Sequence, residues 1–189
     1  MKKIESRNLN INTCEGCTNC FRLLKCHLDQ QDNFNKIKEE LEIADFIIMS
    51  SPVFMHNVNV SMKNFIDRLA YWSHLFHLRG KHGMVIASAS NNGTDIVINY
   101  LEKILKYLGV STICSAKLTQ ANNHFDSETS NFVDRIVKIL DDPRYFDPTI
   151  DYYFTSMKMV MKLQDQAMKE YQYWQENKLF NYQSLKEYL

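Results

Sequence analysis

From residue 32 to residue 140 the chain alternates short apolar runs with longer stretches in which apolar residues return every three or four positions. DNFNKIKEELEIA at 32–44 places Phe34, Ile37, Leu41 and Ala44 on one helical stripe, with Asp32 or Asn33 as its cap. DFIIMSSP follows at 45–52, and its unbroken apolar run predicts a strand buried on both faces, as in a parallel sheet. A helix is predicted from Val60 to Phe76, with Met62, Phe65, Ile66, Leu69 and Trp72 on one side. HGMVIASAS (82–90) reads as a strand, TDIVINYLEKILKYLG (94–109) as a helix stopped by Gly109, VSTICSAKL (110–118) as a strand and SNFVDRIVKIL (130–140) as a helix.

Strands that alternate with helices imply an α/β fold with a parallel sheet, in which ligands sit beyond the carboxyl ends of the strands. The loops to watch are therefore those that follow strands. Ser50 to Asn57 (SSPVFMHN) and Ser88 to Gly93 (SASNNG) are small and polar with aromatic or apolar punctuation, which suits a flat, partly polar ligand better than a metal. The α/β pattern ends near residue 142. In 143–189, entered through Pro143 and Pro148, Tyr153, Met157, Val160, Met161, Gln164, Met168 and Tyr171 recur at helical spacing, followed by Trp174 and Phe180. Two units are expected: an α/β domain over 1–142 and a helical extension over 143–189.

Lysine plus arginine equals aspartate plus glutamate at 22 each, and no basic block is present. That balance implies neither a nucleic-acid groove nor an anionic membrane surface and leaves small-molecule or protein partners. No apolar run follows Met1-Lys2-Lys3 as a leader would require, and none reaches the roughly 20 residues of a membrane span, so a cytoplasmic protein is expected. In a reducing compartment a cysteine cluster points to metal or redox chemistry rather than to disulfides. Four of the five cysteines, Cys14, Cys17, Cys20 and Cys26, fall within thirteen residues around Gly16. Their spacing allows reduced thiols without metal, an iron-sulfur cluster or, less comfortably given three cysteines in seven residues, zinc. Cys114, inside a predicted strand, reads as core packing.

SSPVFMHNVNVSMKNFIDRL, residues 50–69, resembles the flavin-loop signature of the flavodoxin-like NAD(P)H-dependent FMN reductases, in which a strand ends in S-P-V-[YF] and the next helix carries M-K-x-F-[IL]-D-R. The cysteine loop ahead of it has the compact spacing of the iron-sulfur flavoproteins of the same superfamily. The resemblance implies a flavodoxin-like three-layer sandwich with FMN held by Pro52, Val53, Phe54, Met55, His56 and Asn57 on one side and Ser88, Ala89, Ser90, Asn91, Asn92 and Gly93 on the other. NAD(P)H would be the co-substrate, passing hydride through flavin N5 to a small-molecule acceptor such as a quinone, nitro compound or free flavin. No catalytic side chain is then required, although His56 is a candidate donor to the reduced flavin. One alternative is an electron carrier with a 4Fe-4S cluster on Cys14, Cys17, Cys20 and Cys26. The other is a non-catalytic flavodoxin-fold remnant that works through protein contacts.

The family opens with a strand, a phosphate-binding loop and a helix, whereas MKKIES at 1–6 resembles its second strand. The resemblance therefore implies an N-terminally shortened fold, with MKKIES at the sheet or slid inward against DFIIMS, or a sheet completed by another subunit. Asp67 and Arg68 match the family's D-R pair and are taken as a structural ion pair and helix-end contact. Arg79 and Lys81 are taken as solvated surface, and His74, His77 and His82 as a polar helix end rather than a metal site. The apolar stripe of the extension is expected to pack on a partner subunit or over the flavin entrance, in a homodimer built on the cysteine loop and the extension.

Overall fold

The computed structural model describes residues 2–5, 10–120, 132–137 and 145–189. Four strands form one sheet: β1 (Phe46–Phe54), β2 (Asn57–Val58), β3 (His82–Ala89) and β4 (Ser111–Thr119), in the order β2-β1-β3-β4. β1, β3 and β4 run parallel, with Phe46 beside His82 and His82 beside Ser111, while β2 returns antiparallel along the end of β1. The helices are α1 (Asn19–Leu23), α2 (Phe34–Ile43), α3 (Val60–Arg68), α4 (Ala70–Leu75), α5 (Thr94–Tyr107), the helical residues 132–137 (α6), α7 (Ile150–Lys162), α8 (Lys169–Glu176) and α9 (Leu185–Tyr188).

Parallel neighbours need crossovers long enough to return to the same end of the sheet, and here these are α3 with α4, and α5. α5 buries Val97, Ile98, Leu101 and Leu105 on the sheet, then stops. The stop is Gly109, at φ 88°, where an added Cβ would stand 2.8 Å from the Cα of Arg79; a left-handed residue packed against backbone leaves room only for hydrogen.

Three expectations about this region change. The helix predicted over 60–76 is two helices, because at Leu69 the amide reaches both Phe65 and Ile66 carbonyls, tightening the turn and redirecting the chain so that Tyr71, Trp72 and Leu75 point inward. β1 is buried on one face only. Ile47, Met49 and Ser51 face the main core, whereas Ile48 is 44% exposed and Ser50 and Pro52 are open. The far face has a smaller core of Met84, Ile113, Cys114 and Ala116 under Phe132 and Ile136 of α6, and among the described residues no helix continues it over β1. Finally, residues 2–5 of the predicted N-terminal strand form no strand, and among the described residues β1 pairs only with β2 and β3. Lys2 instead meets Glu40 and Lys3 meets Glu5, charged partners that keep this segment at the surface.

The helical extension docks on its own chain. Ile150, Phe154, Met161, Trp174, Leu179 and Leu185 are fully buried in the same core as β1, β3 and α5. Trp174 stacks on Phe154 with ring centroids 5.3 Å apart. Arg79, expected to be solvated, donates to the hydroxyls of Tyr173 at 2.7 Å and Tyr188 at 3.0 Å and lies over the Tyr188 ring at 4.8 Å. Lys81 is also engaged, donating to the carbonyls of Glu42 and Ala44 at 2.7 Å. Of the predicted stripe, Met161 and Trp174 complete a core that the sheet and α5 leave open, joined by residues outside the stripe, while Val160 stays 47% exposed. Of the two prolines expected at its entrance, Pro148 lies just ahead of α7, and Pro143 lies outside the described residues, as do the ends of the helix predicted over 130–140.

Replacing Gly109 by alanine is expected to lower the unfolding free energy by about 1–3 kcal/mol, measured by urea denaturation with an unchanged m-value.

Candidate functional site

β1 leaves the sheet through a turn of only two residues. Val53 pairs with Val58 and Phe54 with Asn57, leaving Met55 and His56 at the tip with φ of 47° and 58°. Such a turn ordinarily carries Asn-Gly, so a Met-His pair there holds two side chains in the left-handed region at a cost of about 1–3 kcal/mol each. Strain of this kind persists where the surroundings impose it, and it concentrates at ligand sites. The tip is open: Phe54 is 60% and Met55 96% exposed. Below it the buried Ser51 hydroxyl accepts from the Asn59 amide, and Asn59 caps α3 by accepting from Met62 N at 2.8 Å. The sequence shows no sign of this hairpin because Met-His is not a turn signature.

The second loop, Ser88 to Gly93, lies against the first. Gly93 has φ 89°, and a Cβ there would fall 2.8 Å from Val53 Cγ1 and 3.1 Å from His56 Nδ1. The fold therefore brings Pro52, Val53, Phe54, Met55, His56 and Asn57 together with Ser88, Ala89, Ser90, Asn91, Asn92 and Gly93, at the carboxyl ends of adjacent parallel strands. Backbone at the start of α5, with Gly93 as an N-cap that offers no side chain, stands beside exposed aromatic and thioether surface. This donor set fits a flavin, whose ring has polar edges and apolar faces.

The cysteine loop is tied to the other end of α3. Asn64 accepts from the Cys14 amide at 3.0 Å, and Arg68 donates to the Asn12 carbonyl at 2.9 Å. Cap and tie are five residues apart, Asn59 to Asn64, so about 7.5 Å of helix separates the hairpin from the loop. All four cysteines carry free thiols, Cys17 exposed and the other three half-buried. Burial, reinforced by the neighbouring thiols of Cys26 and Cys14, pushes the Cys20 thiol up to about 11. The ligand type and number suit a metal cluster. Among the described residues, however, no three histidine, cysteine or acidic side chains converge into a group that can hold a metal ion.

Beneath the loop lies a buried ionic network that sequence reading missed. Arg68, with no exposed side-chain surface, donates to Asp29 at 2.8 Å and to Asp32 at 2.6 Å. Lys38, also buried, pairs with Asp29 and donates to the Tyr71 hydroxyl at 3.1 Å. Asp32 accepts from the amides of Phe34 and Asn12 as well; of the two predicted caps, Asn33 holds the N-cap position of α2 without a side-chain bond, while Asp32 takes the first helical amide. Burial works to raise the Asp32 pKa, but Arg68 and the two amides outweigh it and hold the carboxyl below its ordinary value. Asp67 and Arg68 are not paired with each other: Asp67 takes Lys63, one turn away on the exposed side of α3. The three histidines also diverge. His74 faces Glu170, His77 donates to Glu42 at 2.8 Å while burial keeps it below the ordinary histidine pKa, and His82 donates to the Tyr145 carbonyl.

A parallel sheet with helical crossovers, two abutting loops at its carboxyl edge and flavin-compatible surface on both define a flavodoxin-like protein. Residues 3–124 match the family model described as NADPH-dependent FMN reductase, and the chain belongs to that family. It is 33% identical over 111 residues to an iron-sulfur flavoprotein of Archaeoglobus fulgidus, covering 58% of this chain and 50% of the relative. It is 36% identical over 84 residues to an iron-sulfur flavoprotein of Methanocaldococcus jannaschii, covering 44% and 42%. The chain thus spans about half the length of the curated relatives it matches. Among solved structures, RosB with bound 8-demethyl-8-formylriboflavin-5'-phosphate superposes with a TM-score of 0.50 at 14% identity, over 71% of this chain and 62% of that one, a likeness of fold.

Two outcomes follow from the electrostatics. A carboxylate whose folded pKa is depressed contributes stability above its unfolded value of about 3.9 and loses that contribution as pH falls through the folded value. Acid unfolding should therefore steepen below pH of about 4, and Asp32→Asn should remove about 3–5 kcal/mol near neutrality, in denaturant melts run across pH. With its thiol pushed up to about 11, Cys20 should resist iodoacetamide at neutral pH and gain rate steadily toward pH 11, followed peptide by peptide in a mass spectrometer.

Proposed function

We propose that the chain works as an FMN-dependent oxidoreductase, with NAD(P)H as the electron donor and a small-molecule acceptor. The observation that carries this reading is the contact between the two strand-end loops, with Gly93 seated against Val53 and His56. Bound FMN would supply hydride chemistry at its N5 position. Phe54 and Met55 would cover one ring face, and the backbone of Ser88 to Gly93 would donate to the ring's polar edge. The exposed His56 would present a ring N–H to the bound flavin from the hairpin tip. Placement and exclusion of water are the protein's contribution to such a reaction, and no nucleophile or general base need be invoked.

A second reading is favoured by the iron-sulfur flavoproteins among the relatives and by four cysteines of matching compactness. In it, Cys14, Cys17, Cys20 and Cys26 hold a 4Fe-4S cluster that passes electrons one at a time beside the flavin. Because the thiols do not converge in this structure, the reading requires the loop to close around iron and sulfide as they bind. Homodimer formation belongs to the proposal too. No described helix is long and apolar enough to cross a membrane.

FMN titrated into the protein should lose fluorescence on binding, and NADPH or NADH should then bleach the flavin absorbance anaerobically. Gly93→Ala, which drives a methyl group into Val53 and His56, should weaken FMN binding about ten-fold or more. Unquenched fluorescence at saturating protein would sink the flavin reading. Anaerobic incubation with ferrous iron and sulfide separates the cluster reading: a brown, air-sensitive absorbance lost in Cys14→Ser supports it, and a colourless protein rejects it.

A further inference from the structure

The cysteine loop has a second anchor besides α3, and it draws on the helical extension that lies outside the family match. α1 carries Cys20 and is only five residues long, with left-handed residues at both ends, Thr18 and Leu24, and no buried residue of its own. A helix this short cannot hold its own position. It lies against α8, with Cys20, Phe21 and Leu24 packed on the main core, and Phe21 sets its ring on that of His74, with centroids 4.7 Å apart.

His74 is itself held by α8 through two contacts. Its carbonyl accepts from Trp174 Nε1 at 2.8 Å, and Trp174 is fully buried against Phe154 and Phe180. Its Nδ1 donates to Glu170 Oε2 at 3.3 Å, while Glu170 Oε1 stands 3.1 Å away and makes no hydrogen bond of its own. Glu170 is 1% exposed. A buried carboxylate with one oxygen unsatisfied is costly to keep, and an apolar residue would pack α8 at least as well. What the carboxylate adds is direction, since it fixes the plane of the ring against which Phe21 packs.

We propose that His74 is a positioning residue for the cysteine loop, through which Glu170 and Trp174 of the C-terminal helices set the placement of α1 and so the spacing of Cys14, Cys17, Cys20 and Cys26. The purpose of the loop rests on the reading above; the clamp does not. It makes the loop's geometry depend on a segment some 150 residues later in the chain, as the separation of His74 from Trp174 (100) and of Phe21 from His74 shows when both links are counted.

The test reads the thiols directly and needs neither flavin nor iron, so its failure is distinguishable from a failure of the flavin or cluster reading. Iodoacetamide labelling of the whole chain is resolved by mass spectrometry for wild type, Glu170→Gln, His74→Ala and Phe21→Ala. Labelling of Cys20 and Cys26 should rise about ten-fold in all three variants, while Cys114, buried on the far face of the sheet, stays protected. His74→Phe keeps a ring under Phe21 but loses the bond to Glu170, so its loop labelling should rise as it does in Glu170→Gln. Unchanged loop labelling would overturn the clamp. So would a parallel rise at Cys114, which marks general loosening, or a His74→Phe variant as protected as wild type.

Discussion

The side chain of Arg68 is wholly removed from solvent, and the arrangement of everything on that side of the sheet follows from the need to neutralise it. A lone buried guanidinium is too costly to fold around, so Asp29 and Asp32 must stand within hydrogen-bond reach and the Asn12 carbonyl must face it. Those partners lie 36 to 56 residues away in sequence. One cation thereby joins α3, the start of α2 and the approach to the cysteine loop. The Phe34 ring lies under it with 4.7 Å from guanidinium carbon to centroid, and Lys38 carries the network on to Tyr71 of α4. Buried ion networks often contribute little net stability compared with an apolar replacement, and their value lies in specifying one arrangement.

α3 is the ruler of this arrangement. Its N-terminus is capped by Asn59 directly after the strained Met55-His56 turn, and its later turns present Asn64 and Arg68 to the cysteine loop. The hairpin is followed by the cap of one nine-residue helix, and the start of the cysteine loop is tied to the middle and last turn of the same helix. Their separation is therefore set by backbone geometry rather than by loop conformation. The extension braces the other side, where Arg79 clasps Tyr173 and Tyr188 and Trp174 reaches the carbonyl of His74.

Much of the fold was legible along the chain. The runs at 45–52, 82–90 and 110–118 became parallel strands and Gly109 became the stop of α5, because both signals depend on local sterics and on burial periodicity. The two strand-end loops were legible too, since a parallel order puts them at one edge. The hairpin within the first of them was not, as Met55 and His56 take conformations that their own preferences oppose. Nor was the true pairing of Arg68, because adjacent residues on a helix point apart and the sequence neighbour Asp67 faces solvent with Lys63. The extension's stripe was correctly read as apolar, yet an apolar stripe carries no record of which surface will cover it.

By itself, then, the sequence determined the alternation of the parallel strands with helices, the stop of α5, which loops follow the strands and the density of thiols, all of them properties of neighbouring residues. Only the tertiary structure decided the partners: which carboxylates neutralise Arg68, that the C-terminal helices fold back onto the core, and that Gly93 meets His56. Those outcomes turn on desolvation. A buried charge or an apolar stripe must find its complement somewhere in the chain, and which complement lies within reach is settled when the layers close.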